Sequence, residues 1–123
     1  MKRTPLKRKT RLKPVSDKKR AHRASEAGQA ALGYMRAVKQ LPCVICAAPP
    51  PSDAHHCIHD RHSSAKRSDY DTIPLCKAHH QNGPDAIHNG PKTWREKYGP
   101  DHGYIDRVAE AVNRLFGIDR PLS

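Results

Sequence analysis

From Ala24 to about Leu41, apolar residues recur at three- and four-residue steps: Ala27, Ala31, Tyr34 or Met35, Val38 and Leu41. That spacing lines one face of an α-helix. Ser25 is the N-cap candidate, and Pro42 closes the helix. The periodicity then stops. Residues 43–75 hold turn punctuation at Pro49-Pro50-Pro51 and two short segments that read as strands, Asp53–Ile58 and Asp71–Leu75. Cys76 to Gln81 reads as the start of a helix, broken at Asn82-Gly83-Pro84. Pro91 to Tyr98 predicts a short helix, with Pro in its first turn and Gly99 just past its end. The last helix, about Asp101 to Phe116, has one apolar stripe of Ile105, Val108, Ala109, Val112, Leu115 and Phe116. Such a stripe is expected to pack into a core, and Gly117 supplies the stop. No internal repeat is visible.

Ahead of these elements, residues 1–23 alternate Lys and Arg with Thr, Pro and Ser and offer almost nothing to bury. Eleven basic residues (Lys2, Arg3, Lys7, Arg8, Lys9, Arg11, Lys13, Lys18, Lys19, Arg20, Arg23) face one acid, Asp17. Nearly all of the net charge of +11 therefore sits in this segment. It reads as a disordered basic tail that binds phosphates and releases counterions, which gives affinity without sequence choice. A solubilising tail or a localisation signal is the plainer alternative. Residues 24–123 then form one domain: a helix over 24–41, a core over 42–90 and C-terminal helices over 91–117.

Composition makes that core a poor one. Of 123 residues, 36% are hydrophobic, with one Phe and one Trp against eleven Pro. So small and apolar-poor a chain needs a disulfide, a metal or a partner to hold it. The N-terminus has no apolar signal region, and no stretch approaches the ~18 apolar residues of a membrane span. The expected compartment is the cytoplasm, where cysteine more often binds metal than pairs oxidatively. Seven of the nine histidines (His55, His56, His59, His62, His79, His80, His88) fall in the same stretch as the four cysteines.

Cys43-Val-Ile-Cys46 places two thiolates on one tight turn, half of a tetrahedral zinc site. A redox dithiol shares the spacing, but Pro42 before it and the prolines after it favour a zinc knuckle. His59 and His62 would nearly complete a C2H2 finger, with a His–His gap one residue short and no aromatic core between. Cys76-Lys-Ala-His79 is the better second half, because i and i+3 on a helix share a face. Cys43, Cys46, Cys76 and His79 would form a closed Cys3His site in a treble-clef arrangement, leaving Cys57 for apolar packing. Adjacent residues on a strand or helix diverge in direction. If His79 faces the zinc, His80 therefore faces elsewhere, and His55, His56, His80 and His88 describe a second, open site. His22, His59, His62 and His102 read as surface histidines.

Cys43-x-x-Cys46, Ala54-His55-His56 and the run Asp69 to His80 (Asp-Tyr-Asp-Thr-Ile-Pro-Leu-Cys-Lys-Ala-His-His) together resemble the zinc-stapled HNH (ββα-metal) endonucleases. Gly83 to His88 and Trp94 to Gly99 resemble a phage branch of that superfamily, the recombination-enhancement nucleases that depend on the host RecA filament. The likeness covers roughly residues 41–116. It implies a small α+β fold and a metal-dependent DNA endonuclease of a bacterial or phage-infected cell, with no membrane association and a monomer favoured. By position, His56 is the general base, and His55, His80 and His88 bind a divalent ion, Mg2+ or Mn2+ or else Zn2+. The middle Asn of the motif is absent here; Asp69 or Asp71 would orient His56, with Asp69 favoured. His88 lies eight residues after His80, where many relatives space this ligand at four. Lys66, Arg67 and Lys77 would hold the substrate backbone or stay solvated. The competing class is a non-catalytic zinc module that binds DNA or RNA through its tail; it has no need of the second histidine set.

Overall fold

A computed structural model describes residues 16–61 and 67–121. The phosphate contacts expected from Lys2, Arg3, Lys7, Arg8, Lys9, Arg11, Lys13 and Lys66, and the placement of His62, lie outside those residues. The described part is a small α+β fold of five α-helices, two 3₁₀ turns and a two-stranded sheet. None of its helices is long and apolar enough to cross a membrane.

The expected disorder of residues 1–23 does not extend over 17–23, where the chain forms helix α1, Asp17–Ala24. Ser16 caps it by accepting the Lys19 N–H at 3.2 Å, with Asp17 in the first turn and His22 and Arg23 in the last. Those charges complement the helix dipole. No α1 residue is buried, so capping and the next helix hold it in place. Helix α2, Glu26–Lys39, is capped by Ser25, which accepts the Gly28 N–H at 3.1 Å. A Cβ at Gly28 would stand 2.0 Å from the backbone oxygen of His22. Only glycine lets the end of α1 lie this close to α2.

Strand β1, Asp53–His56, pairs antiparallel with β2, Thr72–Leu75, in the register Asp53↔Leu75 to His56↔Thr72. β1 stops short of the Ile58 that the sequence suggests, because the N–H groups of Ile58 and His59 turn to the Asp101 carboxylate instead of a ladder, and β2 begins one residue after Asp71. Helix α3, Lys77–His80, follows β2 directly; a 3₁₀ turn at Ile87–Asn89 leads to α4, Pro91–Tyr98. The last helix starts later than predicted. Asp101–Tyr104 is a 3₁₀ turn, and α5 runs Ile105–Phe116 with Gly117 left-handed at its C-cap.

One core joins these pieces: Tyr34 and Val38 of α2, Ile73 and Leu75 of β2, Trp94 of α4, and Val108 and Val112 of α5. Leu115 and Phe116 were expected in it, yet they are 59% and 43% exposed. The stripe of α5 outruns the elements it packs against. Val112→Ala should cost about 2 kcal/mol of stability in a denaturant melt, and Leu115→Ala within about 0.5 kcal/mol. Equal costs would place the end of α5 in the core after all.

Candidate metal centres

The Cys43–Cys46 turn is closed by backbone bonds: the Ala47 N–H donates to the Cys43 carbonyl at 2.8 Å and the Cys43 N–H to the Ala48 carbonyl at 3.0 Å. Ala47 takes a left-handed φ of 61° to allow this. The Val44 N–H donates to the Pro74 carbonyl at 2.9 Å, which ties the turn to the edge of β2. Pro74 has no N–H to donate, as suits an edge strand. Across the tie stand Cys76, the N-cap of α3, and His79 within that helix.

One ligand atom from each of Cys43, Cys46, Cys76 and His79 lies within 4.8 Å of the others. The sulfurs of Cys46 and Cys76 are 3.7 Å apart, and Nδ1 of His79 is 3.2 Å from the Cys76 sulfur and 3.9 Å from that of Cys43. Tetrahedral zinc with bonds near 2.3 Å separates its ligands by about 3.8 Å. The set therefore fits a structural metal such as zinc. Burial opposes ionisation of Cys43, but the N–H groups of Cys46, Cys76 and Ile45 point at its sulfur and hold the thiol below its ordinary value. A thiolate is the form that binds metal. Cys57 lies in the core as expected, its thiol pushed up by burial.

A second cluster gathers His55, His80 and His88, again with ring nitrogens within 4.8 Å. The Nε2 atoms of His80 and His88 are 3.1 Å apart. Two imidazoles bound side by side on one ion at about 2.1 Å have nitrogens roughly 3.0 to 3.4 Å apart. The longer spacing to His88 thus does no harm, since the 3₁₀ turn at Ile87–Asn89 brings its ring back over α3. His55 is buried and His88 exposed, so the cluster opens to solvent on one side. Burial holds His55 and His88 below the ordinary histidine range, in the neutral form a metal requires.

Two carboxylates back these rings. His80 Nδ1 donates to Asp53 at 2.8 Å, which leaves Nε2 for an ion. His55 Nε2 donates to Asp101 at 3.0 Å, which leaves Nδ1. Such partners fix the tautomer and the orientation of a metal-bound imidazole. Asp101 is fully buried and also accepts the N–H groups of Ile58 at 2.7 Å and His59 at 3.2 Å. Burial works against its charge, and these donors outweigh it and keep the carboxyl below its usual range.

His59 is a correction to the surface reading: it is buried, donating from Nε2 to the Pro91 carbonyl and accepting the Asp101 N–H at Nδ1. His102 is only part-exposed and donates to Asp60, whereas His22 is exposed as expected. Sequence reasoning missed Asp53 and Asp101. Asp53 was within reach, as it precedes His55 by two on a strand and so shares its face. Asp101 lies 46 residues from His55, with no local signal.

His56, next to His55, is bound elsewhere. Its Nε2 donates to Asp69 at 2.8 Å, with both side chains partly exposed. That bond leaves Nδ1 free to take a proton. Asp71 does not orient His56; its carboxylate pairs with Arg120. Lys77 is engaged with Asp53 at 2.8 Å, and Arg67 donates to the His59 carbonyl at 2.8 Å. Lys18, Lys19 and Arg20 are exposed along α1.

Two outcomes check these assignments. Cys76→Ser should abolish cooperative folding, since structural zinc supplies roughly 10 kcal/mol or more of folding free energy; a variant that keeps its melting curve contradicts the staple. Asp101→Asn should leave one tightly bound metal per chain but weaken Co2+ binding at the histidine cluster by about 10- to 100-fold. A Co2+ titration followed by absorbance reads this, and an unchanged affinity would remove Asp101 from the site.

No curated protein and no solved structure matches the chain. The model of one family, described as a protein of unknown function, DUF968, matches residues 16–114, a span that holds both clusters and the His56–Asp69 pair. The chain belongs to the DUF968 family.

Proposed function

We propose that the chain is a metal-dependent endonuclease of the HNH kind that hydrolyses phosphodiester bonds in DNA. One observation carries the reading: consecutive residues of β1 serve different partners, His55 an open three-imidazole cluster and His56 a carboxylate. A purely structural zinc module needs the Cys3His set and has no use for the rest.

In this reading the Asp69-held imidazole of His56 takes the proton from a water at Nδ1 as the water oxygen bonds to phosphorus. The bond from phosphorus to the 3′ oxygen breaks, the departing oxygen takes a proton from solvent water, and the products carry a 5′-phosphate and a 3′-hydroxyl. His55, His80 and His88 would hold a divalent ion, which would supply charge stabilisation for the phosphate and the departing oxygen. Asp53 and Asp101 hold two of the three rings in place. An all-imidazole donor set suits Zn2+ or Ni2+ better than Mg2+ or Mn2+, which prefer oxygen ligands. The basic residues before α2 supply affinity for the phosphate backbone.

Plasmid nicking with added Mn2+, Zn2+ or Mg2+ tests the proposal. Wild type should nick, and His56→Ala should be slower by about 10²- to 10⁴-fold with its metal content unchanged. The resemblance to RecA-dependent nucleases makes a RecA filament on a paired substrate the partner to include. Wild type and His56→Ala equally inert with and without RecA would leave the non-catalytic zinc module standing. Deleting residues 1–15 should flatten the salt dependence of DNA binding; an unchanged slope means that those residues touch no phosphate.

A further inference from the structure

Beside the His56–Asp69 pair lies an open cavity of about 520 Å³ that no step above uses. One wall is α1 and the start of α2, through His22, Ala27 and Ala31; the other is the loop of Arg67, Asp69 and Tyr70. The alanines give it an apolar floor. The Tyr70 ring packs against the buried Tyr34 ring with centroids 5.0 Å apart, so it is a backed, fixed surface. Arg67 is anchored by the His59 carbonyl, and its Nε is buried with no partner among the described residues. On α1, exposed Lys18 and Lys19 stand one turn before His22 and so share its side of the helix, where they form a basic rim. Gly28 fixes the position of that wall, since any side chain there would push α1 away.

We infer that this groove takes an unpaired nucleotide of a single-stranded nucleic acid, with the base on the Tyr70 and alanine surfaces and the backbone along the basic rim. The inference rests on the nuclease reading and names its substrate class. A basic track combined with a fixed aromatic ring is the arrangement that holds single strands, and the volume suits a small-molecule-sized group. A duplex keeps its bases stacked and paired, so it can reach the rim but not the floor. Asp69 lines the cavity and holds His56. A base seated there brings a neighbouring phosphodiester to the proposed general base.

The test measures binding of a short fluorescent oligothymidine, and of a duplex of equal length, to the full chain carrying His56→Ala so that nothing is cut. Adding Ala27→Trp, which fills the cavity from an exposed position, should weaken single-strand binding about tenfold and leave duplex binding within about twofold. Tyr70→Leu keeps apolar packing on Tyr34, removes the stacking face and should act in the same direction; it also serves if Ala27→Trp fails to fold. Unchanged single-strand affinity in a folded, zinc-loaded variant overturns the inference, as does an equal loss for the duplex. Plasmid nicking separates the two readings. Groove-dependent strand binding without nicking refutes the nuclease alone, and nicking with groove-independent binding refutes the groove alone.

Discussion

Two four-residue strands joined by a long loop do not hold together in water on their own. Here the Cys43–Cys46 turn meets the Cys76–His79 stretch, and a metal on their four ligand atoms would tie the two together. The Val44–Pro74 bond already holds the turn against β2, and a metal on the four side chains would set the direction in which α3 leaves the sheet. The apolar core is small, and its largest members, Trp94 and Tyr34, come from α4 and α2. The histidine cluster draws on the elements around that site: His55 from β1, His80 from α3 and His88 from the turn that follows.

The same economy runs through β1. Asp53 and His55 share one face of the strand, and both attend the histidine cluster, Asp53 through His80. His56 points away and meets Asp69 instead. Alternation along the strand thus gives two neighbouring imidazoles different partners. Asp101 links the two ends of the domain. It ends the ladder by taking the N–H groups of Ile58 and His59, and it fixes the ring of His55. One buried carboxylate therefore couples the packing of the C-terminal helices to the geometry of the cluster.

Much of this is legible in the sequence because it is local. The Cys-x-x-Cys turn, the i, i+3 pair Cys76 and His79, the cap at Ser25 and the Pro91–Tyr98 helix all follow from spacing over a few residues. The sequence also favoured Asp69 over Asp71 for His56, and the reason appears only in three dimensions: Asp71 is taken by Arg120 from the far end of the chain. What was misread depends on distant partners. His59 looked like a surface residue until Pro91 and Asp101 closed over it. Leu115 and Phe116 continue a helical stripe beyond the surface that could cover them. Residues 17–23 form a helix that buries nothing, so no apolar period announces it.

Two clusters of metal-ligating side chains stand side by side in this chain, one closed and one open to solvent. Crystals grown with Zn2+ or Mn2+, with anomalous scattering recorded at each metal's edge, test most directly whether each holds an ion. The account predicts one ion held by Cys43, Cys46, Cys76 and His79 with no solvent ligand, and a second held by His55, His80 and His88 with positions left to water. A second ion absent at saturating metal, or one closed off by a fourth protein ligand, would contradict it.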